Sequence, residues 1–392
     1  MIRHLFKLIW NRKRSNFLLM TEIFFCFLVL FAVLSLVVYN VRNYNKPLGF
    51  EHEHVWLLTM RPDTDSTSLN RQTLEQILQR AKGFQEIESV ALTSSNAPFA
   101  FSQMSNNITY GQKKVEANQY EVQDDFDMVM RVKVSKGRWF GPADNASHHD
   151  PIVINQALKQ QLFGEEEAVG KLIPLNDSTN YQVVGVTDYF RAGSEFEAEQ
   201  PSFFSRINLQ EDPNAFWNEV LIRVKPGMGV AFEEKMVKEF AGTAKGWAME
   251  VATLEKMRQN KAKMAKVPLI ALGIICGFLI FNVALGLFGV LWYNISRRNS
   301  EIGLRRALGA SSGQVYRQFI GEVLVLATFG LLLGVAFAVQ FPLLQVFQVE
   351  SGVYFIALGI AVATIYLLVV GCAFYPSRQA AAIHPAMALH EE

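Results

Sequence analysis

A polar insert of more than two hundred residues separates the first of four long apolar segments from the second, and few folds satisfy that layout. The apolar segments lie at 17–39, 267–292, 319–341 and 353–375. Each can cross a hydrocarbon core about 30 Å thick, which takes about 20 helical residues. The expected architecture is an α-helical four-span membrane protein with a large α+β extracytoplasmic domain between spans 1 and 2. In this reading residues 1–16 are a cytoplasmic N-terminal amphipathic segment, and 40–266 are a two-lobed external domain with stalks. Residues 293–318 are then a cytoplasmic loop with a short helix, 342–352 a short external loop and 376–392 a cytoplasmic tail.

Charges inside the spans are few. Glu22 sits near the start of span one, where it can reach the interface or a partner helix, and Glu322 near the start of span three should lie at the boundary or face protein. Pro268 is placed in the first turn of span two, where a missing amide donor is harmless. Gly273, Gly277, Ala284 and Gly286 offer that span a small-residue face for another helix, and Asn282 suits a helix–helix hydrogen bond better than a pore lining.

Orientation follows from Lys and Arg beside the span ends. Arg3, Lys7, Arg12, Lys13 and Arg14 precede span one, and Arg297, Arg298, Arg305, Arg306 and Arg317 lie between spans two and three. Both stretches should be cytoplasmic, which puts both termini inside. Arg258, Lys261, Lys263 and Lys266 form an opposing basic run outside, but a large translocated domain is poorly governed by its own charges. A cleavable signal peptide is not expected, because the first apolar core is too long and no small-residue cleavage pattern follows it. The three cysteines, Cys26, Cys276 and Cys372, all fall in or at spans, so the outer domain must rest on its own core. The net charge of +1 averages two environments, and no zinc finger, RNA-binding sheet motif or basic groove points to nucleic acid.

Within the insert, Ser68–Arg80 has helical spacing through Leu69, Leu74, Ile77 and Leu78, and Ile87–Leu92 reads as a strand. Residues 96–118 read as loop and short strand, and 128–134 (MVMRVKV) as a further strand. Trp139 is expected to anchor packing. A strand and helix follow in PIVINQALKQQLFG, then two strands joined by an Asn-Asp turn, a strand at 219–224, a helix at 230–241 and a strand near 250–254.

Chemistry is thinly represented. His52 with His54, and His148 with His149, have no spaced third ligand, so solvated loops are favoured over a metal site. The stretch GEEEAVGK at Gly164–Lys171 has the wrong glycine spacing for a phosphate loop, no Ser or Thr after the lysine, and three carboxylates where phosphate would sit. No nucleophile, base and orienting residue stand out, so the chain reads as non-enzymatic, with no catalytic, cofactor or metal residues.

The loop between spans two and three is more informative. Ser300 can cap a helix in which Glu301 and Arg305 are four apart, Leu304 and Leu308 share a face, and Gly309 can end it. One reading is an interfacial helix on anionic lipid; the other is a coupling helix that docks on a cytoplasmic ATPase.

Three stretches, in order, carry a family resemblance: DPIVINQALKQQLFGEEEAVGKLIPLNDSTNYQVVGVTDYF outside, RRNSEIGLRRALGAS inside, and YPSRQAAAIHPAMALH at the end. The chain resembles permeases of the MacB/FtsX-like group of ABC transporters, also called type VII or mechanotransmission permeases, with a MacB-like periplasmic core domain. Ser377 and His390 depart from the family's tail pattern. The resemblance implies ATPase coupling through Glu301, Ile302, Gly303, Leu304, Arg305, Arg306, Ala307, Leu308 and Gly309, and a bacterial inner-membrane location with the large domain periplasmic. It also implies a separate ABC ATPase subunit that uses ATP and Mg, a second copy or related permease, and motion transmitted to the outer domains through the first two spans. Export or envelope substrate handling is the leading expectation. A lipoprotein-releasing permease and an FtsX-like regulator of a cell-wall hydrolase are the alternatives, so partners extend to a periplasmic adaptor, a lipoprotein or a hydrolase, and membrane lipid.

Overall fold

A computed structural model describes residues 13–62, 67–174, 180–209, 217–298, 302, 304–305, 307–344 and 346–381. In chain order, helix α1 (Lys13–Tyr44) is followed by β1 (Val55–Arg61), α2 (Thr67–Gly83), β2 (Ile87–Thr93), β3 (Ser105–Tyr110), β4 (Lys113–Val122), α3 (Phe126–Met130) and β5 (Val134–Gly137). Then come β6 (Asp150–Asn155), α4 (Gln156–Phe163), β7 (Leu172–Pro174), β8 (Asn180–Thr187), β9 (Ser202–Arg206), β10 (Glu219–Val224), α5 (Val230–Thr243) and β11 (Ala248–Thr253). Helices α6 (Leu254–Ser296), α7 (Ser312–Ala338), α8 (Gln340–Leu343) and α9 (Ser351–Ala381) complete the chain. Two units result, one built on Asn43–Ala265 and the other on the chain to either side of it.

The outer unit is organised by strand alternation. Its sheet runs β11-β1-β10-β2-β4-β9-β6-β8-β5, with β3 beside β4 and β7 beside β8. Successive side chains point to opposite faces, so Trp56, Leu58 and Met60 of β1 join Val220, Ile222 and Val224 of β10 under α2 and α5. Farther along the sheet Ile152, Ile154, Val183 and Phe203 pack with Leu158, Leu162 and Phe163 of α4. The opposite face is one aromatic core of Phe50, Phe99, Tyr120, Phe126, Trp139, Phe190 and Phe204. Between β2 and β4 a single pair, Thr93 with Val122, joins the antiparallel half of the sheet to the mixed half.

Residues 128–134 are not one strand. Phe126, Val129 and Met130, at helical spacing, are fully buried in α3; Arg131 then takes a left-handed φ of 49°, and strand resumes only at Val134. The apolar run met an alternating template, but its deepest residues follow a three-and-four period. Two strands, β1 and β9, have no counterpart in the sequence reading. The 96–118 stretch holds a regular hairpin, with Ser105 opposite Asn118 and Tyr110 opposite Lys113. The Asn-Asp turn before β8 lies outside the described residues.

Among the described residues four helices are long and apolar enough to cross a bilayer: Leu19–Tyr44, Leu254–Tyr293, Ser312–Leu343 and Ser351–Gln379. Glycine lets α1 approach α7, since a Cβ on Gly334 would meet the Phe27 ring at 2.4 Å, and one on Gly330 would meet the Met20 carbonyl oxygen at 3.0 Å. Glu22 faces a partner helix, because a Cβ on Gly286 of α6 would lie 2.4 Å from its Oε1. Pro268 is inside α6 rather than in a first turn, because the helix begins at Leu254. Asn282 donates to the Phe278 carbonyl of its own helix (2.8 Å) and makes no helix–helix bond among the described residues. Gly273 and Gly277 are open, with nothing within 4 Å of a built Cβ.

Candidate functional site

The loop between α6 and α7 contains a short helix that the chain holds from one side. Ile302 is buried against Val315 and Phe319 at the start of α7. The amide of Ala310 donates to the carbonyl of Arg305 (3.0 Å) while Gly309 takes φ +96°, a helix end that a β-carbon would strain. Ser311 and Gln314 then cap α7 reciprocally. Leu304 and Leu308 project outward, 52% and 80% exposed, so among the described residues nothing covers their shared face.

Arg305 is turned inward. It donates to Gln318 Oε1 (2.8 Å), Gln318 donates to Glu322 Oε1 (3.0 Å), and Glu322 accepts from Arg298 (2.8 Å). This network ties the helix to the ends of α6 and α7, and Glu322 faces protein in it. Glu301, Gly303 and Arg306 lie outside the described residues. Because Arg298 and Glu322 are both largely buried, Glu322→Ala should cost about 3 kcal/mol. Faster hydrogen exchange across 302–322 in lipid nanodiscs is the expected readout; unchanged protection would contradict it.

In the outer unit a second constellation joins the chain leaving α1 to the first turns of α6. Residues 190–200 form its centre. The Arg191 guanidinium donates to the carbonyls of Lys46 (2.8 Å), Pro47 (3.3 Å), Glu195 (2.6 Å) and Glu197 (2.8 Å). Asn43 donates to the Phe196 carbonyl (3.1 Å), and Tyr44 stacks on the Phe196 ring (5.5 Å). From the other side Arg258 of α6 reaches Glu195 (2.5 Å) and Glu255 (2.9 Å), and these carboxylates hold its charge firmly. The segment therefore clamps both stalks. Nothing in RAGSEFEAEQ announces that role, because its partners lie far away in sequence.

Glu199 anchors the end of the clamp, accepting from the Phe190 amide (3.0 Å) and Asn155 Nδ2 (2.8 Å) on one oxygen. Burial pushes its carboxyl up to about 7, and burial does the same to Glu219 of β10. The native state then holds protons that the unfolded chain releases near 4.5, so the contribution of these two groups is fully present below about pH 4.5 and is lost as pH rises to about 7. The expected loss is on the order of 3 kcal/mol for each of the two carboxyls over that window. Denaturant unfolding of the full chain from about pH 4.5 to about pH 8 tests the sign; a midpoint that rises with pH would refute it.

His148 and His149 pack on each other at 5.2 Å, and among the described residues no group of three or more His, Cys, Asp or Glu is arranged to hold a metal. Lys159 of α4 donates to the Gly164 carbonyl, so the Gly164 segment is a helix cap.

Four spans around an external α+β domain, with a one-sided helix between spans two and three, define a multi-pass inner-membrane permease with its large domain periplasmic. The chain belongs to the MacB family of ABC transporter permeases: the MacB-like periplasmic core domain matches residues 17–237, and the FtsX-like permease C-terminal region matches 273–385. It is similar to the macrolide export ATP-binding/permease protein MacB of Chromobacterium violaceum, 26% identical over 293 residues that cover 73% of this chain and 45% of that protein. It is also similar to the uncharacterized ABC transporter permease YknZ of Bacillus subtilis, 21% identical over 336 residues, 81% of this chain and 79% of that one. The chain thus spans about half the length of the MacB relatives it matches. Among solved structures, the periplasmic region of MacB from Actinobacillus actinomycetemcomitans aligns at 14% identity and a TM-score of 0.39, over 56% of this chain and 95% of that one.

Proposed function

We propose that this chain is the membrane subunit of an ATP-driven complex, with a separate cytoplasmic ATPase seated on the helix around Leu304 and Leu308. The exposed leucine face on a rigidly braced helix carries the reading. A helix meant to transmit force needs one face free for its partner and the other locked to the spans, and Ile302 with the Arg305–Gln318–Glu322–Arg298 network supplies the lock. ATP and Mg belong to the partner. Motion would pass along the unbroken α6 helix to the stalk clamp at 190–200, and so to the outer domain. Export or envelope substrate handling fits this arrangement.

Purification of the full chain from its native membrane in mild detergent tests the assignment. An ATPase recovered with two permease chains is the expected result. Recovery of the permease without an ATPase, even after crosslinking, would overturn it.

A further inference from the structure

Apart from the clamp, the outer unit has a groove of about 560 Å³ on the aromatic-core face of its sheet. Its floor is Leu57 and Thr59 of β1, Glu219 of β10, and Glu250 with Ala252 of β11. Strand register explains why they share one face: Leu57 stands opposite Leu221 and Ala252, and Thr59 opposite Glu219 and Glu250. One wall is α6, through Met257 and Asn260; the other is the segment around Phe99 and Phe101. Phe99 takes φ +66°, a conformation few residues with a β-carbon adopt. That turn buries the Phe99 ring in the core and leaves Phe101 64% exposed, beside the groove. Lys261 lies over the Phe101 ring at 4.9 Å.

Glu219 is the feature that asks for a ligand. It is only 9% exposed, it lines the groove, and among the described residues its Oε2 has no hydrogen-bond partner and no cation within ion-pair distance. A buried carboxyl without a partner is costly and uncommon in a folded core. The charged groups around it are Arg61 on β1, Glu250 on β11 and Lys256 on α6, and all three are exposed. They give the rim one net positive charge, to which Lys261 above Phe101 adds, and Glu219 is the one buried carboxyl at the floor. The apolar surface comes from Leu57, Phe99, Phe101 and Met257, and Thr59, Ser95, Ser102 and Asn260 add uncharged polar groups to the lining. A groove of several hundred Å³ with apolar walls and one buried carboxyl among a few polar groups suits a small molecule.

We infer that this groove binds small amphiphiles that carry a protonated amine on an apolar body, with the amine paired to Glu219 and the body lying between Phe101 and Met257. The site does not depend on ATPase coupling and can be tested without the ATPase. Because burial holds the Glu219 carboxyl up at about 7, ligand binding should strengthen as pH rises through that value, when the carboxylate forms and an alkylamine is still protonated.

The experiment uses the full chain in lipid nanodiscs, with equilibrium dialysis against empty discs of the same lipid. The probe is propranolol, a naphthyl ether with a secondary amine, compared with its neutral diol counterpart. Propranolol should bind saturably above the empty discs and more tightly at about pH 8 than at about pH 6, whereas the diol should bind weakly and without pH dependence. Glu219→Gln should weaken propranolol at least about ten-fold and leave the diol unchanged. Ala252→Trp, which fills the groove floor, should abolish saturable binding. Should Glu219→Gln fail to fold, the pH profile and the Ala252→Trp variant decide. Equal affinity for amine and diol, an unaffected Glu219→Gln variant, or binding that survives Ala252→Trp would each overturn the proposal.

Discussion

Replacing Phe204 by alanine is expected to destabilise the outer domain by about 3–5 kcal/mol. Phe204 is fully buried on β9, and its ring lies 4.7 Å from Phe190, 5.1 Å from Trp139, and 5.7 Å from both Tyr120 and Phe126. Those four rings come from four separate stretches of chain. The rings around it are held by one another, so the cavity and the lost edge-to-face contacts add together. The backbone of β9 bridges β4, in parallel, and β6, in antiparallel register, so softening it loosens the mixed half of the sheet. Phe163 and Val184, buried farther along that half, should cost less. Denaturant unfolding of the full chain, followed by fluorescence of the buried Trp139, measures the loss; a midpoint unchanged by Phe204→Ala would refute the assignment.

The second large effect concerns the helix between spans two and three. Changing Leu304 and Leu308 together to aspartate should reduce permease-stimulated ATP turnover by at least about ten-fold, because two apolar anchors at the centre of a small interface carry much of its energy. The fold should be unaffected, since both side chains already face outward. Arg305→Ala makes the contrast. Its guanidinium is engaged with Gln318, so its loss should loosen the local structure first and coupling only as a consequence. Hydrogen exchange separates the two: protection across 302–322 should persist in the leucine variant and fall in the arginine one. Full ATPase stimulation by the leucine variant would sink the docking assignment.

Much of the architecture was legible because the membrane and the strand period write directly into sequence. An unpaired backbone amide is intolerable in hydrocarbon, so a long apolar run has to be a helix, and the four runs announced themselves. Strand β10 was also legible, from the β propensity of Val220, Leu221, Ile222 and Val224, although its buried Glu219 and Arg223 were not. The Gly309 helix end was legible too, since positive φ is a local demand.

Other features depended on partners distant in the chain. The run at 128–134 looked like a strand, but Phe126, Val129 and Met130 fit the core only as a helical face. Strand β9 is short, and its Phe203 and Phe204 acquire opposite roles from the two layers they enter. Arg305 was expected to take part in ATPase coupling, and only folding sets it beside Gln318; the sequence carries no signal for the Lys46 and Pro47 carbonyls that converge on Arg191.

The sequence by itself determined the number of spans, the side of the membrane for each loop and the existence of a large disulfide-free outer domain, because those follow from hydrophobicity, length and charge along the chain. Only the tertiary structure decided which polar groups meet: the clamp at 190–200, the turned-in Arg305 and the unpartnered carboxyl of Glu219. Each is a matter of distance between residues that the chain keeps far apart, and a hydrogen bond or its absence has no signature until folding brings the two groups within about 3 Å.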